Sequence, residues 1–303
     1  MSDLPAASVR DARVTVVMIT RDRGDEARRS VSRLLDLPER VDVIVVDNGS
    51  TAGPPDLTGF DPCRVRLVPL DDNLGAAGRN LGVRLATTPY VAFADDDSWW
   101  LPGSLDRARR LLDGHPSLGV IAGSVLVGDE RRLDPVCIEM AQSPLRADGT
   151  IPGRAVLGFV ACASVVRRDA FLAVGGFDAH YGVGGEERPL AIALASAGWS
   201  LAYVPACAAQ HWPSPVRDPE HRRRIVVRND LWSTWRYRRL RSALASTART
   251  VAAAWTDPVT RDGLRDASRR AVPVLRQRAP VNRALEGHLR ALDRMEPPRC
   301  AIP

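Results

Sequence analysis

The chain has 303 residues, 45% of them hydrophobic and 5% aromatic, with a net charge of +6, which is enough apolar chain for a substantial core. No run of about 18 uncharged apolar residues offers a spanning helix; Met1 to Arg13 lacks a secretion signal's apolar stretch, and the five scattered cysteines (Cys63, Cys137, Cys162, Cys207, Cys300) form no C-x-x-C, so a reduced, cytoplasmic protein without a zinc site is expected. Every one of the 42 basic residues is arginine, and residues 1–216 hold 22 of them against 27 acidic residues while residues 217–303 hold 20 against 9, so a basic segment follows a mildly acidic body.

Val14 to Ile19 is β-branched and predicts a strand broken at Thr20-Arg21-Asp22. Asp25 to Leu37 carries Ala27, Val31, Leu34 and Leu35 on one face and predicts a helix. Val41 to Val46 is a second buried strand, ending in the polar turn Asp47-Asn48-Gly49-Ser50, and Val65 to Leu70 is a third. Asp72 to Gly82 opens a helix with small residues where close backbone approach is needed. Its glycines Gly75, Gly78 and Gly82 do not make G-x-G-x-x-G and follow the third strand, which argues against a nicotinamide or flavin site.

Tyr90 to Ala94 then predicts a strand buried on both faces, followed by Asp95, Asp96 and Asp97 at its C-terminal end. Open α/β sheets hold their ligand crevices at such ends. Three adjacent carboxylates repel one another, and Mg²⁺ or Mn²⁺ with substrate phosphates would offset that. The alternative is a solvated acidic turn, with Asp97 or Ser98 capping the next helix. The run alone does not choose between them.

Pro102 to Leu112 predicts a helix and Val120 to Val127 a strand, while Asp129 to Pro152 lacks periodicity and reads as a loop over the site. Ala155 to Val166 reads as a strand rich in small residues. After Gly175-Gly176-Phe177-Asp178 and Gly184-Gly185-Glu186-Glu187, a helix is expected over Pro189 to Ala197 and a strand over Trp199 to Val204. The prolines of Pro213 to Pro219 mark a linker, dividing residues 1–216 from a helical extension at 217–303. Glu220 to Thr247 is expected as one arginine-rich helix, with Ile225, Trp232, Trp235 and Leu240 on one face, and later helices are broken at Pro258, Pro273 and Pro280. The repeated β-α-β order predicts an α/β fold with a mostly parallel sheet flanked by helices.

The ordered set V-V-M-I-T-R-D-R, V-I-V-V-D-N-G-S, N-L-G-A-A-G-R-N, F-A-D-D-D, G-G-F-D, G-G-E-E and H-W-P, from Val14 to Pro213, resembles inverting glycosyltransferases of family 2 with the GT-A fold. N-L-G-A-A-G-R-N looks most like members that act on rhamnosyl or related polysaccharide and antibiotic sugars. The resemblance implies a nucleotide-diphospho-sugar donor and a hydroxyl acceptor. It implies donor contacts at Thr20, Arg21 and Asp47, at Asn73, Arg79 and Asn80, and at Asp95 and Asp96. Family members often have Pro-Thr-Tyr where this chain has Ile19-Thr20-Arg21, so the nucleotide base stays open. A divalent ion is implied at Asp97, with Asp95 and His211 as further ligands. The catalytic base is implied at Glu187, with Glu186 as the alternative, because the family's usual Glu-Asp pair is Glu-Glu here.

The chemistry agrees independently: a metal ion stabilises a diphosphate leaving group, and a carboxylate deprotonates the attacking hydroxyl. Each residue also has a plainer reading. Asp47 can be a turn former before Gly49, the glutamates can favour the start of the next helix, and Trp99, Trp100 and Trp212 can pack in the core rather than stack on a sugar. A nucleotide-sugar-binding protein without turnover and a nucleotidyltransferase are the competing classes. The latter leaves G-G-E-E and H-W-P unexplained, and a nucleic-acid module leaves the acidic site without a role. The basic segment is a candidate contact for the inner face of a membrane.

Overall fold

The computed structural model describes residues 13–145, 149–213 and 218–295. The stretch before Arg13, Cys300, and the 216/217 boundary with most of its linker lie outside the described residues. The chain runs β1 (Val14–Thr20), α1 (Gly24–Leu35), β2 (Asp42–Asp47), β3 (Val65–Pro69), α2 (Gly78–Leu85) and β4 (Tyr90–Asp95). It continues with β5 (Ser98–Trp100), α3 (Ser104–Gly114), β6 (Leu118–Val127), β7 (Arg132–Leu133), α4 (Pro135–Ala141), β8 (Arg154–Ala155) and β9 (Ser164–Arg167). Then come α5 (Arg168–Ala173), α6 (Glu187–Ser196) and β10 (Ser200–His211), followed by α7 (Pro219–Tyr237), α8 (Leu240–Ala254), α9 (Pro258–Arg269), α10 (Ala271–Arg276) and α11 (Arg283–Asp293).

One sheet carries the order β3-β2-β1-β4-β9-β6-β10-β5, with β7 beside β6 and β8 beside β10. The half from β3 to β4 is parallel throughout, and Thr20 lies level with Asp47 while Ile19 lies level with Asp95. The chain leaves β1 toward β2 and β3, then returns to the other side of β1 as β4. This reversal opens a crevice at the C-terminal ends of β1, β2 and β4. β1, β2 and β4 are buried nearly end to end, as their uninterrupted apolar runs require. Helix α1 covers one face through Ala27, Ser30, Val31 and Leu34, with Asp25 and Glu26 in its first turn and Arg33 in its last. Phe93, Phe171 and Phe177 form a mutual cluster with ring centroids 5.6 Å apart.

Four expectations need correction. The acidic run does not pass directly into a helix: Ser98–Trp100 pairs antiparallel with β10, Ser98 opposite His211. Residues 129–152 are not all loop, because Asp134 accepts the Val136 amide at 3.0 Å and, with Pro135 next, starts α4. Ala155 to Val166 is strand only at its ends; Ala161–Ala163 forms a 3₁₀ turn of buried small residues. The long arginine-rich helix breaks at Arg238, which is extended (φ −82°, ψ 153°) and buried. Its guanidinium is held by Glu286 at 3.2 Å and Asp293 at 2.7 Å on α11. That double ion pair turns the chain, so Leu240 falls on the next helix and is exposed.

The same pair joins α7 to α11. Below it, Tyr237, Val281, Leu285 and Leu289 cluster with Ile192 of α6. Arg238→Ala would strip the buried Glu286 of its closest-packed cation and leave it the half-exposed Arg290 at 3.2 Å. It is expected to destabilise the protein by about 3 kcal/mol in urea unfolding; an unchanged midpoint would refute this account of the turn.

Candidate active site

Four strand ends and one glycine loop converge at the crevice. Thr20, the last residue of β1, donates its hydroxyl to Asp96 at 3.0 Å. Ser30 of α1 donates to the Asp96 carbonyl at 2.6 Å, fixing the turn after β4. Arg23, just past β1, reaches Asp96 at 3.2 Å and Asp97 at 3.5 Å. Burial and the neighbouring Asp97 charge push the Asp96 carboxyl up to about 7, against the pull of Arg23.

Strand β5 explains how Asp97 meets His211. Pairing of Ser98 with His211 in the register of β10 brings the imidazole Nε2 to 3.4 Å from the Asp97 carboxylate. The Trp212 amide also donates to the Asp97 carbonyl at 2.7 Å. Trp99 stacks against Trp212 at 6.5 Å, and Trp100 is fully buried with its indole N–H on the Phe93 carbonyl. Asp95 points elsewhere. It pairs with Arg79, which lies 2% exposed beneath the site, within 5.5 Å of the Phe177 ring centre. Burial pulls the Arg79 pKa down, but Asp95, Glu186 and Glu187 together outweigh it and hold it above the usual value.

The third part is the loop before α6. Gly184 (φ +122°) and Gly185 (φ +80°) take conformations that side chains rarely adopt, and the turn they make presents Glu186 and Glu187. Asn229 of α7, fully buried, donates to the carbonyls of Tyr181 at 2.8 Å and Gly184 at 2.7 Å, and Arg228 adds a bond to Tyr181. Glu186 is buried and accepts the Gly184 amide. Glu187 accepts the Ala161 amide at 3.3 Å and opens on a cavity of about 300 Å³. Burial and then the Glu186 charge raise the Glu187 carboxyl to about 8, whereas Glu186 is raised by burial and opposed by Arg79.

The remaining candidates divide. Asp47 is buried at the end of β2 and accepts from the amide and hydroxyl of Ser50. Asn73 accepts the Gly75 amide at 2.9 Å in an exposed turn. Asn80 bonds both the amide and the carbonyl of Phe177, tying α2 to the Gly175–Asp178 loop. Arg21 lies at the surface, 3.5 Å from Asp22. Thr20, Asp47, Arg79, Asp95, Asp96, Asp97, His211, Glu186 and Glu187 thus gather around one crevice, whereas Arg21 and Asn73 sit outside its buried part.

Two residues not singled out in the sequence matter here. Arg23 covers the acidic turn, and its signal was the closing arginine of T-R-D-R. Asn229 clamps the glycine loop from α7, and a lone asparagine in an arginine-rich helix carries no signal of that.

Among the described residues no three His, Cys, Asp or Glu side chains converge as a closed metal cage. Asp97 and His211 offer one carboxylate and one imidazole side by side. That set fits a divalent ion whose other ligands come from a bound diphosphate and water, the open arrangement expected for Mg²⁺ or Mn²⁺.

Residues 15–175, just over half of the chain, match the family model described as glycosyl transferase family 2. The chain is 28% identical to the N-acetylglucosaminyl-diphospho-decaprenol L-rhamnosyltransferase of Mycobacterium tuberculosis, over 87% of this chain and 98% of that one. It is 29% identical to the pre-mycofactocin glycosyltransferase of the same organism, over 80% of this chain and 56% of that one. Among solved structures, it resembles the mannosyltransferase PcManGT of Pyrobaculum calidifontis in complex with GDP-Man and Mn²⁺ (TM-score 0.60, 18% identity, 93% of this chain and 86% of that one). It also resembles GalNAc-T7 with UDP, GalNAc and Mn²⁺ (TM-score 0.57, 13% identity, 74% of this chain and 48% of that one).

Proposed function

The chain belongs to glycosyl transferase family 2, and from that premise we propose that it is a metal-dependent, inverting glycosyltransferase using a nucleotide-diphospho-sugar donor and a hydroxyl acceptor. The observation that carries the reading is the juxtaposition of two carboxylate groups with different surroundings. Asp96 and Asp97 lie under Arg23 and beside His211, where a diphosphate and its cation find charge partners. Glu187 opens on the neighbouring cavity with a raised proton affinity.

In this mechanism Thr20 and Asp47, at the ends of β1 and β2, line the nucleoside side of the crevice. Asp97 and His211 would hold the divalent ion, which when bound would supply Lewis-acid stabilisation to the departing diphosphate. Arg23 adds positive charge on the same side. Ionised Glu187 takes the proton from the acceptor hydroxyl as its oxygen bonds to the anomeric carbon. The bond from that carbon to the phosphate oxygen breaks with its electron pair on the nucleoside diphosphate. One displacement on the face opposite the leaving group inverts the centre. Arg79 offsets the repulsion among Asp95, Glu186 and Glu187, and Glu186 holds the loop through the Gly184 amide.

The basic C-terminal segment supports a peripheral membrane contact, through a different face from the one read in the sequence. On α7, Arg224 is paired with Asp266 at 2.6 Å, Arg236 with Asp178 at 2.5 Å, and Arg223 with Asp257. On α8 and its C-cap, Leu240, Leu244, Val251 and Trp255 are exposed at spacings of four, seven and four, Trp255 by 81%, with Arg241 and Arg249 exposed nearby. Such a stripe suits the interface of an anionic leaflet. No helix among the described residues is long and apolar enough to cross a membrane.

Three outcomes are expected. Glu187→Gln should lower kcat by on the order of 10² or more with donor affinity nearly unchanged, and the wild-type kcat should rise with pH up to about 8, a limb the variant lacks. If Glu186→Gln gives that phenotype instead, Glu187 is not the base. Asp97→Ala should abolish turnover and weaken nucleotide-diphosphate binding in calorimetry with Mn²⁺ present; full activity of the wild type in excess EDTA would sink metal dependence. Leu244→Ser with Trp255→Ser should reduce co-sedimentation with anionic liposomes at low salt, and absence of wild-type co-sedimentation with those vesicles, or an unchanged double variant, would remove this membrane contact.

A further inference from the structure

The cavity that Glu187 opens on is built by parts of the chain far apart in sequence. Met140 comes from α4, Val156, Leu157 and Phe159 from the segment after β8, and Leu289 and Leu292 from α11. Its volume, about 300 Å³, is that of a site enclosing a small organic body. Its wall is mostly apolar. Among the described residues its ionisable members are Glu139, exposed at the rim, Glu187, Asp230 and Arg188. Arg188 is already committed to Asp230 at 2.6 Å and lies 4.0 Å from Asp293. An anionic group placed inside would leave water for a mostly apolar wall whose guanidinium is already engaged by Asp230, which is unfavourable. A neutral apolar body would displace water from that wall at no such cost.

We infer that this cavity receives the acceptor as an uncharged, largely apolar group whose hydroxyl meets Glu187, and that it excludes a phosphorylated or diphosphorylated headgroup. The inference rests on the reading of Glu187 as base and adds to it the chemical class of the acceptor. The bonds made and broken are those of the proposed transfer: the acceptor O–H gives its proton to Glu187, and its oxygen bonds to the anomeric carbon as the nucleoside diphosphate leaves. A diphosphate-bearing acceptor would have to keep its charge outside the cavity, toward the crevice or solvent.

Gly158 supplies the test. It lines the cavity, its backbone is not left-handed, and a Cβ built there meets no heavy atom within 4 Å. Gly158→Leu therefore takes up cavity space without forcing the fold to shift. Leu292→Gln, at a half-buried position of the same wall, is the second variant. The probe is N-phenyl-1-naphthylamine, which is uncharged and brightens on entering an apolar site. It is titrated into the full chain and displaced with n-decanol or n-decyl phosphate.

The expected result is saturable binding by the wild type, displacement by decanol at concentrations on the order of tenfold or more below those of decyl phosphate, and weakening on the order of tenfold in both variants. Equal displacement by the two competitors overturns the charge argument. Wild-type affinity in both variants, or no binding to the wild type, overturns the assignment of the cavity. This readout needs neither donor nor turnover, so its failure is distinct from failure of the transferase reading, which the Glu187 and EDTA experiments decide.

Discussion

A single buried cation sets the geometry of the site. The Arg79 guanidinium is almost completely withdrawn from water, and such burial is tolerated only with close anionic partners. Asp95 meets it directly, Glu186 and Glu187 act on it through space, and the rings of Phe93 and Phe177 lie against it. The end of β4, the glycine loop before α6 and the aromatic cluster are therefore all referred to one charge. The arginine is carried that deep by its own helix. A Cβ at Gly82 would come within 2.4 Å of Val17, and one at Gly78 within 2.5 Å of Asn48, so only glycine lets α2 press onto β1 and β2.

The framework was legible because its signals are local. Uninterrupted apolar runs read as buried strands, and polar clusters at Thr20, Asp47 and Asp95 marked their ends. The motif order then implied one crevice, and nine of the implied residues do gather there. What escaped the reading depends on partners distant in sequence. Three residues, Ser98 to Trp100, carry no periodicity, and they are a strand because β10 offers them an edge. Arg238 sits in a sequence that favours continuing the helix, and the chain turns there because Glu286 and Asp293, roughly fifty residues later, compensate its burial. Asn229 is a helix residue whose amide spans two carbonyls of a loop more than forty positions earlier. Propensity cannot register such contacts.

The two glutamates of the glycine loop are adjacent in sequence yet differently committed. Glu186 faces the Gly184 amide and Arg79, so its carboxylate stabilises the loop that carries it. Glu187 accepts the Ala161 amide at 3.3 Å and lines the cavity, with Glu186 as a neighbouring like charge. Two adjacent buried carboxylates near one guanidinium do not ionise independently, and burial and then the Glu186 charge raise the Glu187 proton affinity. In the proposed mechanism the difference in placement assigns the roles: Glu186, folded back on its own loop, is structural, and Glu187, in the cavity wall, accepts a proton when a hydroxyl reaches it. The same difference makes the apolar wall consequential. In that mechanism, excluding water and anions from the Glu187 side would preserve its raised proton affinity, while the Arg23–Asp96–Asp97–His211 side is the polar half proposed to take a diphosphate and its cation. Sugar transfer needs both environments within one bond's reach of each other. The loop that joins them is short, glycine-rich and clamped by Asn229; under the proposed roles, slack there would separate the base from the leaving group it works opposite.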